Sequence, residues 1–167
     1  GRVVGGVAIT VDVTERVAAE RALAASESRF REMFEGSPVI QFLVDPESAR
    51  ILDVNAAAVR YYDRPRSVLL CMRPDELVVM PEGALDAQIR TVLRTGATHA
   101  RRPVVLPSGE RREVDVNVTL LDDGRTRLLH VWMQDVTERV RAEVERDRLI
   151  RIVELTTDLI AIGDADS

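Results

Sequence analysis

The sequence predicts an α+β domain built on a five-stranded antiparallel sheet with short helices on one face. Two observations lead to this fold class. The first is the order of the elements, which is two strands, several short helical segments and then three strands joined by tight turns. The second is the strict alternation of apolar with polar residues from Val114 to Leu120. A period of two gives a strand one buried and one wetter face, as in a sheet that helices cover on one side.

The elements of this domain follow from local signals taken in chain order. A turn between two apolar runs predicts a hairpin, Asn55 is a good N-cap for a short helix, and Gly96 suits the left-handed residue that ends a longer one. We therefore predict strands at 40–44, 50–54, 97–106, 111–120 and 126–135, and helices at 56–62 and 81–95.

One motif occurs twice and marks a junction between a strand and a helix. Residues 12–17 and 135–140 both read Asp-Val-Thr-Glu-Arg-Val, each after a β-type run and before a charged, alanine-containing stretch. A third similarity relates residues 37–45 to residues 156–164. Such internal repeats indicate an array of similar units.

The repeats divide the chain into five segments. We expect the last strand of a preceding domain, a linker helix, one complete domain, a second linker helix and the first strand of a following domain. Their predicted bounds are 1–13, 14–34, 35–136, 137–154 and 155–167. The first linker is amphipathic, because Leu23 and Phe30 fall on one apolar stripe of the helix.

Composition excludes several classes of protein. The net charge of −5 and the pI near 5.2 argue against a nucleic-acid-binding surface. A single cysteine excludes an intrachain disulfide framework, and no apolar run is long enough to cross a bilayer. We expect a cytoplasmic location for this fragment, with a membrane anchor elsewhere in a longer protein left open.

Taken in order, these motifs resemble the PAS family. The resemblance lies in Asp-Val-Asn-Ala-Ala at 53–57, the Ser-Gly-Glu hairpin at 108–110 and Asp-Val-Thr-Glu-Arg at 135–139. It implies a sensory or protein-interaction module, commonly in tandem, within histidine kinases, cyclic-nucleotide enzymes such as diguanylate cyclases, or phosphatases. It also implies that Asp135 and Thr137, with their counterparts Asp12 and Thr14, couple the sheet to the helix that follows.

The junction has a second interpretation that needs no signalling role. Asp135 and Glu138 have a spacing like that of a capping box, and the Thr137 hydroxyl could equally supply the N-cap. Negative charge also suits the positive end of a helix dipole. The alternative is therefore a well-capped helix and nothing more.

The inward-facing apolar residues either form a packed core or line a ligand pocket. The candidates are Phe42, Met72, Val116, Val131 and Met133. Their character would fit only a small apolar or weakly polar ligand.

Neither a bound cofactor nor catalysis is predicted. The surroundings of Cys71 lack the motif of flavin-binding relatives, so we expect a buried, inert thiol, and the helix at 81–95 lacks the histidine of haem-binding relatives. His99 and His130 lie on predicted strands. We expect no metal site and no catalytic residues, because no nucleophile–base pair or ligand spacing occurs.

The expected partners are a second copy of the chain and neighbouring domains of the same protein. In the PAS family the residue two positions before the terminal Asp faces inward, and here that residue is Met133. The resemblance therefore implies that Trp132 points to the outer face, where a linker helix, a second protomer or nothing covers it. Together with Leu23 and Phe30 it forms the candidate interface of a homodimer.

Overall fold

The computed structural model describes the backbone of residues 13–163 and the side chains of residues 16–152. The predicted first strand and Asp12 lie outside the described residues, apart from Val13, and so does the side chain of Thr14. The chain divides into two compact units, residues 1–36 and residues 37–167.

The described part of the first unit is one helix, α1, at Val13–Gly36. It agrees with the helix predicted for 14–34, while its role as a linker stays a prediction. Leu23, Phe30 and Met33 are 61%, 52% and 76% exposed, and the Phe30 ring stacks on Phe34 with 5.7 Å between centroids. The apolar stripe of α1 thus presents large side chains to solvent.

The second unit contains the predicted antiparallel sheet. Its strands are β1 Ile40–Val44, β2 Ile51–Val54, β3 Ala97–Val105, β4 Arg111–Asp122 and β5 Arg127–Asp135. Their order across the sheet is β2-β1-β5-β4-β3, and every neighbouring pair is antiparallel. The last strand therefore lies at the centre, between the first strand and β4.

Three helices and a 3₁₀ turn follow β2 and cover one face of this sheet. They are α2 Ala56–Tyr62, α3 Arg66–Leu69, the turn Pro74–Glu76 and α4 Ala84–Thr95. Asn55 caps α2 as predicted, because its side chain accepts a hydrogen bond from the backbone N–H of Ala58. Gly96 ends α4 with φ of 84°, in the left-handed conformation that glycine adopts without strain. The α+β fold predicted from the sequence is confirmed.

The final helix, α5, runs from Thr137 to Gly163. It extends past the linker predicted at 137–154, so the strand predicted for 155–167 is wrong for residues 155–163. No glycine or proline interrupts the chain between Thr137 and Gly163, so each successive N–H can continue the helical ladder. Residues 164–167 lie outside the described residues, and the assignment of this segment to a following domain stays a prediction.

Candidate functional site

An apolar cavity lies between the inner face of the sheet and the covering helices. Its volume is about 50 Å³, and aliphatic and aromatic side chains form nearly all of its wall. Two polar side chains also line it, Gln88 on α4 and Arg102 on β3. The cavity is therefore an almost wholly apolar chamber.

Four of the five predicted pocket residues line this cavity, namely Phe42, Val116, Val131 and Met133. Met72 instead packs, partly buried, against the outside of the hydrophobic core. It follows α3 in a turn, which directs it away from the cavity wall formed by the sheet and α4. The other four lie on strands, where alternate residues share a face, whereas Met72 lies in a turn without a fixed period.

Asp135, the last residue of β5, connects three parts of the domain. One carboxylate oxygen, Oδ2, accepts a hydrogen bond from the Tyr61 hydroxyl at 3.1 Å and an ion-paired bond from Arg112 Nη1 at 3.0 Å. The other, Oδ1, accepts bonds from the backbone N–H and the hydroxyl of Thr137 at 2.9 and 2.6 Å. Helix α2, strand β4 and the start of α5 thus converge on one side chain.

Thr137 extends this set of bonds back to the sheet. Its hydroxyl accepts a hydrogen bond from the backbone N–H of Glu113 on β4 at 2.9 Å, and the neighbouring Val136 N–H donates to the Glu113 carbonyl at 2.8 Å. The side chain of Thr137 is buried, which is unusual for a polar residue at a helix start. The first turn of α5 is therefore hydrogen-bonded both to β4 and to the end of β5.

The predicted capping arrangement is only partly right. Asp135 does bind a backbone N–H at the start of α5, but the Thr137 hydroxyl serves β4 instead of the helix. The Glu138 carboxylate pairs with Arg141 on the exposed face of α5, so the reciprocal bond of a capping box does not form among the described residues. The Thr137 hydroxyl does not cap α5 because a tertiary contact uses it, namely the hydrogen bond from the Glu113 N–H on β4.

A second attachment holds α5 on the outer face of the sheet. The Asp115 carboxylate on β4 accepts bonds from Arg101 Nε on β3 at 2.9 Å and from Arg139 Nη2 on α5 at 2.8 Å. The bond from Arg101 is the main reason that the pKa of Asp115 lies below its ordinary value. The first turn of α5 is thus bonded to the sheet at two places, through Thr137 and through Arg139.

Burial and hydrogen bonding act in opposite directions on Asp135. Burial alone would raise its pKa, but the bonds from Thr137, Arg112 and Tyr61 outweigh burial and hold the pKa below the ordinary value. Burial, followed by the charge of Asp135, raises the pKa of Tyr61. Asp135 is therefore a stable anion, and Tyr61 a stable hydrogen-bond donor, at neutral pH.

Two consecutive tyrosines of α2 connect the cavity with this junction. The Tyr62 hydroxyl points into the core and lies 3.9 Å from the sulfur of Met133, which lines the cavity. The Tyr61 ring contacts that of Tyr62 edge-on at 5.2 Å between centroids, and the Tyr61 hydroxyl binds Asp135. A continuous series of contacts thus runs from the cavity wall to the start of α5.

Trp132 points to the outer face of the sheet, as expected, while its role in an interface stays a prediction. Burial alternates along β5, with Leu129, Val131 and Met133 inward and Trp132 half-buried on the outer face. Its strand neighbours are Gln41 on β1 and Asn117 on β4.

The expectation of a buried Cys71 is wrong. The residue follows α3 in a turn in which Leu69 takes the inward position, so the thiol is exposed.

His99 and His130 lie on strands as predicted, and His130 Nε2 lies 2.9 Å from Gln41 Oε1. Among the described residues, no group of three His, Cys, Asp or Glu side chains could hold a metal ion. Nor is any described helix both long and apolar enough to cross a membrane.

The sequence analysis did not identify two residues that bind Asp135 at the junction. Tyr61 and Arg112 reach Asp135 from distant parts of the chain, and neither carried a local motif. The strand alternation could have found Arg102, because it shares a face with the buried Val104.

Comparison with known proteins agrees with this architecture. A sensor from the archaeon Methanosarcina acetivorans, the methyl sulfide methyltransferase-associated sensor, is 26% identical over 131 residues, which is 78% of this chain. The chain spans only 13% of the length of that relative.

Solved PAS domains share the fold. The PAS domain of an HTR-like protein from Haloarcula marismortui is 18% identical, with a TM-score of 0.61 over 71% of this chain and 98% of that one. A domain of a sensory box histidine kinase/response regulator from Geobacter sulfurreducens is 23% identical, with a TM-score of 0.56 over 66% and 95% of the two chains. The family model described as the PAS fold matches residues 34–141. The chain therefore belongs to the PAS family, and residues 34–141 are a sensory domain of it.

Proposed function

We propose that this PAS domain relays a change in its core to α5 through the Asp135–Thr137 junction. The observation that carries the proposal is the position of Asp135, where one carboxylate binds α2, β4 and the first turn of α5. A helix bonded in this way cannot rotate or shift without exchanging these bonds. Such an exchange between two arrangements is the kind of event that biases a switch.

The contacts from Met133 through Tyr62 and Tyr61 supply the physical route. Met133 lines the cavity, so a group that enters there presses on the same strand that ends at Asp135 two residues later. Close-packed interiors transmit small displacements, since they contain little free space to absorb them. We infer that the cavity is the input and the junction the output of the domain.

The proposed setting is a multidomain signalling protein. The relative from Methanosarcina is itself a sensor, and this chain matches only a small part of its length, which supports a module within a longer chain. We propose an output domain of the histidine kinase, diguanylate cyclase or phosphatase type, with neighbouring PAS domains before and after. We further propose that the domain works without flavin or haem and has no catalytic residues of its own.

Self-association through α1 is the second part of the proposal. Leu23 and Phe30 lie seven residues apart, which is the heptad spacing that aligns side chains along a coiled-coil seam, and Met33 extends the same exposed stripe. A second copy of the chain is the partner that such a stripe fits, because it presents an identical stripe. Trp132 is proposed to lie at or near this interface.

The relay is tested in a longer protein whose output activity can be measured. Asp135→Ala and Thr137→Ala should change the output or its response, whereas Glu138→Gln at the same helix end should not. If both junction variants remain folded and signal normally, the junction is only a helix cap and the proposal is wrong.

A further inference from the structure

Strand β3 lies at an edge of the sheet, so one of its two sides pairs with β4 and the other is open. We propose that this open side pairs with the same side of β3 in a second copy of the chain, antiparallel and centred on His99. The contact joins the two sheets edge to edge. It is separate from the proposed seam along α1 and does not depend on it.

The backbone groups of β3 face its two sides in alternation, as in any antiparallel edge strand. Even-numbered positions face β4, because the Leu120 N–H on β4 donates to the Gly96 carbonyl at 2.8 Å. Odd-numbered positions face the open side, because the Pro103 carbonyl accepts a bond at 2.8 Å from the N–H of Val79, which lies in a loop outside the sheet. The backbone groups that face the open side are therefore those of Ala97, His99, Arg101, Pro103 and Val105.

The part of this side that is free to pair runs from Ala97 to Arg101. Among the described residues, none accepts a hydrogen bond from the backbone N–H of Ala97, His99 or Arg101. At one end the Thr95 hydroxyl donates to the Ala97 carbonyl at 2.9 Å. At the other end Pro103 has no N–H, and its carbonyl is already bonded. The open stretch is thus closed at both ends.

The opposite edge of the sheet, β2, has partners within the chain. The Ile51 N–H donates to the Met72 carbonyl at 3.3 Å, and Arg66 Nη1 donates to the Val54 carbonyl at 3.2 Å. An edge whose backbone groups are unpaired is a template for another strand. The open stretch of β3 is therefore where the described sheet can accept one.

The limits of the open stretch define a register with a second copy. Thr95 and Pro103 lie four residues before and after His99 (99 − 95 = 103 − 99 = 4). A two-fold axis at His99 places Ala97 opposite Arg101 of the second copy and leaves both limits just outside the paired region. Each free N–H of one copy then meets a carbonyl of the other. A second copy is the partner that fits, because the edge is its own complement about this axis.

The side chains beside the axis leave room for this approach. Ala97 is small, so it accommodates the long Arg101 side chain opposite it. The Arg101 guanidinium is already paired with Asp115 at 2.9 Å, so the contact brings no unpaired arginine to the edge. The paired stretch is no longer than an ordinary strand, and the contact is therefore weaker than a standard interface. It forms in concentrated solution and not at the dilution of sedimentation velocity.

Amide hydrogen exchange at increasing protein concentration tests the pairing. The chain carries Leu23→Glu and Phe30→Glu, so that the α1 seam contributes nothing. We expect exchange of the N–H groups at residues 97, 99 and 101 to slow by about threefold or more as the concentration rises. The N–H of Val105 is the internal control, because it faces the same side of β3 beyond the open stretch and should keep its rate.

Proline substitution removes the pairing without removing a bond to β4. His99→Pro deletes the N–H at the axis, which faces the open side, where an edge strand accepts proline. The slowing at residues 97 and 101 should then be lost. Val105→Pro is the matched control, since it makes the same change outside the open stretch, and His99→Ala keeps the N–H. Both should retain the slowing.

Disulfide trapping tests the register without proline, in chains that carry Cys71→Ser. His99→Cys should form a disulfide between copies on oxidation, because paired residues at the axis have Cα atoms about 5.5 Å apart. Arg101→Cys should cross-link at least about tenfold more slowly. Its two copies lie four residues apart along the strands, about 13 Å, which is beyond the reach of a disulfide.

The proposal is overturned if exchange in the open stretch is independent of concentration, whether the amides are unprotected or are covered by a segment of the same chain. It is also overturned if His99→Pro behaves like His99→Ala, or if Arg101→Cys cross-links as fast as His99→Cys. These results would leave the α1 seam and the relay through Asp135 untouched, because different variants test them.

Discussion

Asp135 Oδ1 lies 2.6 Å from the hydroxyl oxygen of Thr137, and that same hydroxyl accepts a bond from the backbone N–H of Glu113. The threonine is therefore a donor to the end of β5 and an acceptor from β4 at once. Its hydroxyl proton has one direction available, toward the carboxylate, because the lone pairs face Glu113. The two side chains therefore fix the first turn of α5 relative to the sheet.

The two tyrosines of α2 should differ in their contribution to stability. Tyr61→Phe removes a bond to an ionised carboxylate and should lower the free energy of unfolding by about 1–3 kcal/mol. Tyr62→Phe, the matched control, loses only a weak contact of 3.9 Å with a sulfur atom and should cost less than about 1 kcal/mol. Denaturant unfolding measures both values. Equal losses, or a larger loss for Tyr62→Phe, would contradict the assigned role of Tyr61.

Stability should depend on pH through Asp135. Its folded-state pKa lies below the ordinary value, so the stabilisation that it contributes is complete above an ordinary pKa of about 3.9 and is lost as the pH falls through the folded-state pKa. The wild type should thus exceed Asp135→Asn in stability at neutral pH, and this difference should shrink below about pH 4.

Unfolding curves at a series of pH values measure that difference. Glu138→Gln, which removes a carboxylate from the exposed side of the same turn, should show no comparable convergence with the wild type. A gap between wild type and Asp135→Asn that stays constant down to about pH 2 would show that the charge of Asp135 stabilises nothing.

The buried Asn55 should matter more for folding than the junction does. Its Oδ1 accepts bonds from the N–H groups of Gln41 and Ala58, and its Nδ2 donates to the Val39 carbonyl at 2.8 Å. Asn55→Ala leaves several buried groups unpaired and should cost about 3 kcal/mol or more. Asn55→Asp keeps the cap acceptor but loses the donor, so its loss of stability should be substantial as well. If chemical denaturation finds the stability of Asn55→Ala within about 1 kcal/mol of the wild type, the stabilising role assigned to the hydrogen bonds of Asn55 is wrong.

Association of two copies should depend on the exposed stripe of α1. Leu23→Glu with Phe30→Glu places like charges along the proposed seam and should convert a dimer to a monomer in sedimentation velocity. Arg21→Glu, which lies off this stripe, is the control and should leave the dimer intact. A wild-type monomer at high concentration, or a dimer that survives deletion of residues 1–28, would refute the proposed interface.

The sequence was informative where local periodicity decides the structure. The alternation in β4 gave Val116 and its neighbours one buried face, and the resemblance to the PAS family implied that Met133 faces inward and Trp132 outward on β5, which agrees with the burial along these strands. Asn55 and Gly96 were identified as helix caps because their chemistry is local. These features need no knowledge of the rest of the chain.

The contacts that build the junction were not predictable in this way. Tyr61 and Asp135 are brought together by the central position of β5, which packing across the whole sheet determines. Cys71 was misplaced because a turn residue follows no period, and the similarity of residues 159–163 to β1 did not prevent a helix over those residues. Similarity to β1 indicates that this segment could form a strand if a partner strand were available. In this structure the segment instead continues α5, because no glycine or proline ends the helix before Gly163.

The central claim is that the core and α5 are energetically coupled through Asp135. A double-mutant cycle tests it, with Met133→Leu as a volume-conserving change at the cavity wall and Asp135→Ala at the junction. The measured quantity is the opening free energy of the backbone amides at residues 140–144, from hydrogen exchange. We predict that Met133→Leu alters this free energy in the wild type but much less in Asp135→Ala, with a coupling energy of about 0.5–3 kcal/mol. Effects that add to within about 0.3 kcal/mol would contradict the relay.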